Sequence, residues 1–313
     1  MSENGYKAGS RLEKLLARGE FVVTGEAGPP TGTDIEVIKT KCGLLKGYID
    51  AVNVTDNQTS IVRMSSIAAS KLIIDEGLEP VMQMTCRDRN RIAMQSDLFG
   101  ATALGVLNCL CLSGDHQSFG NQVDAKNVYD IDSIQLVDTL RKMRDEGKIL
   151  GESDIKGSFP MFIGAAANPF ATPYEFRVTR LAKKVAAGAD FVQTQCIFNM
   201  PKFREYIHEA RERGLLEKVA LLGGITPIKS LPMVRYMATK VAGMDVPEEI
   251  IKRIEGVPKK ERANEGIKLC IEQIQELKEM PGVRGIHLMA IEWEEKVPGI
   301  VEGAGLYPRP AVD

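Results

Sequence analysis

The sequence predicts an α/β protein, a (β/α)8 TIM barrel with a leading helix and an extra helical insertion before the last strand. Three observations carry this. Apolar runs rich in β-branched residues recur along the chain, each followed by an amphipathic, helix-like stretch. The runs start near Phe21, Asp50, Glu79, Val106, Pro160, Asp190, Val219 and Gly282, at spacings of 29, 29, 27, 54, 30, 29 and 63 residues. A pitch of about thirty residues is what one strand, one crossover helix and two short loops require. The runs are also apolar almost throughout, as strands are in a parallel sheet buried on both faces. Eight such units closing on themselves make a barrel, and 313 residues suit it.

The elements have readable punctuation. A leading helix, about Arg11 to Leu16, is placed to cover the bottom of the barrel. Ala186-Ala187-Gly188-Ala189 ends a basic helix just before the run Phe191 to Cys196, with Gly188 suited to a C-terminal cap. Asp75-Glu76-Gly77 and Asp145-Glu146-Gly147 end two other helices in the same way. Two units are enlarged. One carries a polar insertion from Asp115 to about Ile131. The other carries a charged, helical insertion, Pro247 to Met280, expected to pack outside the barrel. No linker rich in Pro, Gly or Ser divides the chain, so residues 1–313 read as one domain with its core at about 20–292.

Composition excludes several classes of function. Forty Lys plus Arg against 42 Asp plus Glu leave a net charge of −2, with no basic excess for nucleic acid or a membrane surface. The longest nearly apolar run, Ala101 to Leu112, is broken by Asn108 and is too short to span a bilayer. The polar start Met-Ser-Glu-Asn-Gly lacks a signal-peptide core, so a cytoplasmic protein is expected. Six cysteines, at 42, 86, 109, 111, 196 and 270, contain no Cys-x-x-Cys, and Cys109 and Cys111 read as buried strand residues. His116, His208 and His287 lack metal-ligand spacing. No metal or iron–sulfur cluster is expected in this chain.

Barrel enzymes place their chemistry at the C-terminal ends of the strands. Those ends are rich in acids, amides, hydroxyls and glycines, from Gly25-Glu26 round to Ala290-Ile291-Glu292. Glu26 stands out, because Ala-Gly-Pro-Pro stops the strand after it. It reads as a general acid, or more plainly as a solvated strand-end carboxylate. Asp115, in Ser-Gly-Asp-His, opens the polar insertion; the plainer account is a turn residue or helix N-cap. In Gln193-Thr194-Gln195, one glutamine is expected to face the barrel interior, with a buried structural amide as the plainer account. His116 reads as a loop histidine. No Ser-His-Asp or Cys-His arrangement and no P-loop occurs, which disfavours acyl transfer and P-loop phosphoryl transfer.

Taken in order, these residues carry a resemblance. Val23-Thr24-Gly25-Glu26-Ala27-Gly28-Pro29-Pro30 resembles the first-strand motif of methylenetetrahydrofolate reductases, where a catalytic glutamate precedes Pro-Pro. Further matches follow in family order at Val52-Asn53-Val54-Thr55, Met84-Thr85-Cys86, Leu112-Ser113-Gly114-Asp115, Val128-Tyr129-Asp130, Leu181 to Ala189, Thr194-Gln195 and Gly224-Ile225-Thr226-Pro227. The resemblance implies a flavin at the C-terminal barrel face, FAD before FMN, passing hydride to 5,10-methylenetetrahydrofolate to give 5-methyltetrahydrofolate. Carried over by position, Glu26 matches the acid that assists opening of the folate's five-membered ring. Asp115 matches the aspartate beside the flavin pyrimidine and the pterin, and Gln195 the glutamine that bonds the substrate. Thr55 and Gln83 match positions against the isoalloxazine, and Arg177 and Lys184 positions near the phosphate and ribose. Ser113, Gly114, Tyr129 and Ala167 fall on the same cofactor side. An aromatic that stacks on substrate or NADH falls near Tyr236-Met237.

The sequence also departs from the familiar bacterial enzymes. Two aromatics after the glutamate are replaced by Ala27-Gly28, a histidine on strand three by Gln83, and an arginine after strand eight within Ile291-Glu292-Trp293. These changes are similar to the branch of acetogens and related anaerobes. That resemblance implies either NADH or a partner redox subunit as electron source, and an oligomer or hetero-complex. Two other readings share the barrel: a methyltetrahydrofolate-binding module for corrinoid methyl transfer, and a non-catalytic subunit of a redox complex. Glu26, Asp115 and Gln195 together argue against the second, since a scaffold needs none of them.

Overall fold

The computed structural model describes residues 5–241 and 243–312. Eight strands form the wall: β1 (Val22–Ala27), β2 (Ala51–Val54), β3 (Pro80–Thr85), β4 (Asn108–Leu112), β5 (Phe162–Ala167), β6 (Phe191–Cys196), β7 (Ala220–Ile225) and β8 (Val283–Leu288). Each begins within two residues of its expected start. Every neighbouring pair is parallel, and β8 returns to β1 with Leu288 opposite Gly25, so the barrel is closed.

The helices are α1 (Arg11–Ala17), α2 (Glu36–Leu45), α3 (Ser66–Asp75), α4 (Arg91–Ala103), α5 (Ser133–Arg141), α6 (Arg177–Ala187), α7 (Met200–Glu212), α8 (Leu231–Lys240), α9 (Glu248–Glu255), α10 (Arg262–Lys278) and α11 (Val297–Gly303). Side chains satisfy the exposed amides where several begin: Ser10 caps α1, Ser65 caps α3, Asn90 caps α4, and Asp132 with Gln135 forms a capping box on α5. Gly188 ends α6 at φ 106°, a backbone conformation that costs glycine little.

The insertions differ in part from expectation. In the second, α10 lies directly on β7 and β8, with Leu277 against Gly223, so it serves as a barrel helix. α8 and α9 are then the additional helices of this unit, packed on each other, with Val234, Ile250 and Ile254 in one buried cluster. The first enlarged unit also holds an excursion over residues 147–160, closed by the bridge Lys148–Asp154, whose mixed composition gave no periodic signal. Among the described residues, no helix is long and apolar enough to cross a membrane.

Alternation along the strands builds the interior in tiers. The lowest tier is apolar: Val22, Ala51, Val81, Leu110, Phe162, Phe191 and Leu222, closed below by Leu12, Leu15 and Leu16 of α1. Phe162 and Phe191 stack at 5.2 Å, which only a glycine at 164 permits, since a Cβ there would come within 2.3 Å of the Phe191 ring. Two residues up each strand the interior turns polar, with Thr24, Asn53, Gln83, Gln193 and His287 all buried. Two further up, Glu26, Thr55, Thr85 and Gln195 reach the C-terminal mouth.

Candidate active site

The mouth is a set of three joined hollows. The largest, about 310 Å³, is walled by Glu26, Gln83, Gln193, Gln195, His287 and Met289 toward the barrel axis. Its other end carries Ala167, Asn168, Arg177, Arg180 and Lys184. A second hollow, about 240 Å³, is lined by Gln58, Gln83, Thr85, Arg87, Leu112, Ser113, Gly114 and Asp115. A third and smaller one lies beside Glu26 and Gly28. Glu26, Gln83 and Gln58 are each shared between two hollows, so the three form one continuous surface.

Glu26 ends β1 facing inward, with its side chain only 10% exposed. Among the described residues none donates a hydrogen bond to it; His287 Nε2 lies 3.8 Å from Oε2. His287 rests on a buried chain of polar groups. Its Nδ1 is 3.0 Å from Thr24 Oγ1, which accepts from Gln193 Nε2 at 3.0 Å. Gln193 and Asn53 then exchange two amide bonds, of 2.6 and 3.0 Å. The Thr24 hydroxyl has two acceptors in reach, His287 Nδ1 and the Ile286 carbonyl at 3.3 Å, so either ring nitrogen of His287 can carry the proton. The arrangement holds a carboxyl in a half-dry cleft, with a titratable group behind it and the cleft in front.

Asp115 lies across the mouth in the second hollow. Its carboxylate accepts from the Thr59 amide at 3.1 Å, and Arg87 Nη1 holds its carbonyl at 3.0 Å. Arg87 also reaches the Asn57 carbonyl, tying the β2 and β4 loops together. The β2 loop is strained: Asn57, Thr59 and Ser60 have φ of 46°, 57° and 58°. Asp115 is therefore not an N-cap; it anchors a neighbouring loop and keeps a free oxygen for the hollow.

Gln193 and Gln195 both line the large hollow, which corrects the expectation that one of them faces inward. Residues two apart on a strand share a face, so both do. Gln193 is spent in the buried network, whereas Gln195 accepts only from the adjacent Cys196 amide, at 2.9 Å, and keeps its amide donors. Gln83 lines both larger hollows; the Thr55 hydroxyl is buried with no partner among the described residues. Ser113 bonds Ser133, and the Tyr129 hydroxyl lies 3.5 Å from the Gly114 carbonyl.

Lys184 reaches the Ala166 carbonyl, and burial, with Arg180 nearby, holds its ammonium below the ordinary lysine range. Arg177 is fixed by the carbonyls of Pro169 and Tyr174, with its guanidinium 3.1 Å above the Tyr174 ring. Tyr236 and Met237 fall elsewhere. Tyr236 is 60% exposed on the outer face of α8, and Met237 is buried against Leu231, Val234 and Ile254. Neither is among the residues that line the three hollows.

The sequence reading missed His287, Arg180, Arg87 and the Asn53–Gln193 pair. His287 was judged on metal spacing alone, although Gly285, His287 and Met289 alternate inward and signal it. Among the described residues no three His, Cys, Asp or Glu side chains come together as a metal site. All six cysteines are buried and unpaired, and burial pushes the Cys196 thiol up to about 12. Thiolate chemistry therefore has no place here.

Comparison with known proteins fits this geometry. The chain is 27% identical over 257 residues to a probable methylenetetrahydrofolate reductase (NADPH) of Caenorhabditis elegans, covering 80% of this chain and 36% of that protein. It is 25% identical over 237 residues to methylenetetrahydrofolate reductase (NADH) 1 of Arabidopsis thaliana, covering 73% and 38%. It thus spans little more than a third of these relatives. In fold it is similar to a Clostridium thermocellum protein that binds two copies of 5-methyl-5,6,7,8-tetrahydrofolic acid, with a TM-score of 0.63, 14% identity, and coverage of 94% of this chain and 98% of that one. The family model for methylenetetrahydrofolate reductase matches residues 11–305, from the helix that seals the floor to the last helix of the barrel, and the chain belongs to that family.

Proposed function

We propose that the chain reduces 5,10-methylenetetrahydrofolate to 5-methyltetrahydrofolate with the help of a bound flavin, FAD before FMN. The observation that carries this is Glu26: a carboxyl with no hydrogen-bond donor among the described residues, in a cleft that it shares with Gln195 and that joins the hollow of Asp115 through Gln83. The residues fit a flavin. The buried Thr55 hydroxyl has no partner among the described residues, and Arg180 and Lys184 give one end of the cleft a positive charge suited to phosphate. Thr55, Gln83, Ser113, Gly114, Asp115, Tyr129, Ala167, Arg177 and Lys184 would hold it. When bound, the flavin supplies the hydride chemistry.

The chain's own residues do the rest. Glu26 delivers the proton that the departing folate nitrogen needs when the five-membered ring opens, and general-acid help of this kind is worth about 10²–10⁴-fold. His287, 3.8 Å from the carboxyl, is the polar neighbour behind it. Asp115 accepts from the pterin amino group and favours the cationic iminium form of the substrate by opposite charge. Gln195 uses its free amide donors to fix the pterin plane. Electrons arrive from NADH or through a partner redox subunit; the relatives are named for different nicotinamide donors, and no residue at the mouth selects one.

The test is the absorption spectrum of the purified protein, followed by assay of methylenetetrahydrofolate reduction with NADH, NADPH and artificial low-potential donors. A flavin band and formation of 5-methyltetrahydrofolate are expected. A colourless protein that takes up neither FAD nor FMN, yet binds methyltetrahydrofolate, would replace this reading with methyl transfer to a corrinoid.

A further inference from the structure

The small hollow beside Glu26 has no role in the account so far. Its volume is about 40 Å³, and it is lined by Glu26, Gly28, Lys41, Gln58, Arg63, Ile291, Glu292 and Glu294, so it is large enough for a carboxylate or two to three waters. Its charges are unequally committed. Lys41 pairs with Glu294 at 2.9 Å, so these two cancel. Glu292 is on an exposed residue, where water screens it. Arg63 is different: one amino group donates to the Pro29 carbonyl at 3.0 Å, while Nε is buried with no partner among the described residues. A buried guanidinium N–H left unpaired is costly, and a carboxylate is the group that fits it best.

We propose that Arg63 and this hollow form the subsite for the anionic glutamate tail of the folate, an inference that rests on the function proposed above. The chemistry fixes the direction. The nitrogen that Glu26 protonates is the one bearing the p-aminobenzoyl-glutamate, so the tail leaves the central cleft at the acid. Glu26 lines both the central cleft and this hollow, and Arg63 lines the hollow with it. Arg63 thus sets substrate specificity by charge.

The experiment is isothermal titration of the flavin-loaded protein with 5-methyltetrahydrofolate and with 5-methyltetrahydropteroate, which lacks the glutamate. It is run on the natural protein, Arg63→Gln and Arg63→Lys. The natural protein is expected to favour the glutamate form by about ten- to hundredfold, the worth of a hydrogen bond between charged groups. Arg63→Gln should lose most of that ratio and Arg63→Lys should keep part of it. The ratio is taken within one variant, so partial misfolding cancels. Equal binding of both ligands by the natural protein, or an unchanged ratio in Arg63→Gln, overturns the subsite and leaves the reductase reading standing. Failure of the natural protein to bind either ligand overturns both.

Discussion

The floor and the mouth of the barrel are ends of the same eight strands, and they differ in how fully their polar groups are used. At the floor, Asp50 is completely buried, yet it pairs with Arg309 at 2.6 Å and Arg11 at 3.2 Å and accepts the Val23 amide at 2.8 Å. Asp190 repeats the pattern on the opposite side, bonding the Ile163 amide and pairing with Arg144 and Lys7. At the mouth, Thr55 Oγ1 and Arg63 Nε are buried without partners among the described residues, and Asn57, Thr59, Ser60 and Glu292 sit at left-handed φ. The floor's buried carboxylates are paired, although Asn108 Oδ1 at the start of β4 lacks a partner as well; at the mouth, open groups and strained loops leave binding energy for a ligand.

Breaking the floor should have the largest effect on stability and little on chemistry. Asp50→Asn keeps an acceptor for the Val23 amide but leaves Arg309 buried without its counter-charge, which should cost about 3–5 kcal/mol in chemical denaturation. Turnover per folded molecule should be unchanged. A stability loss near zero would show that the floor is not held by these pairs.

At the mouth, Asp115→Asn retains an oxygen for the Thr59 amide, so the loop should stay in place while the charge is lost. The flavin midpoint potential should rise, because a carboxylate disfavours the negative charge of the reduced form. Folate affinity and reduction should each fall roughly tenfold, the low end of what a close charge contributes. If all three stay constant, Asp115 only anchors the loop.

Lys184→Gln should weaken FAD binding by roughly ten- to hundredfold, as expected for one charged donor. It should also remove a pH dependence. A bound phosphate favours the charged lysine, and burial lowers the free-state pKa, so affinity in the natural protein should fall with rising pH before an ordinary lysine would titrate. Titrations that run parallel for the two proteins would remove Lys184 from the phosphate end. The smallest effect belongs to Tyr236→Ala: an exposed residue off the mouth should change turnover less than about twofold.

The floor and the strand order were legible because they follow from periodicity: apolar runs about thirty residues apart leave few alternatives. At the mouth, Glu26, Asp115 and Gln195 were legible from their places at strand ends and from family motifs. What stayed hidden depends on contacts between distant strands. Gln193 bonds Asn53 across the barrel, His287 reaches Glu26 from β8, and Arg63 comes to lie beside Glu26 only because the β2 loop folds back over β1. Tyr236 follows from motif alone, and it lies exposed on α8 apart from the three hollows.

The central claim is that Glu26 is the acid of folate reduction. Glu26→Gln, mixed rapidly with 5,10-methylenetetrahydrofolate after its flavin has been reduced, measures this directly. The account predicts normal flavin content and normal reduction by the electron donor, with reoxidation by the folate slowed about 10²–10⁴-fold. Reoxidation at the rate of the natural protein would contradict it.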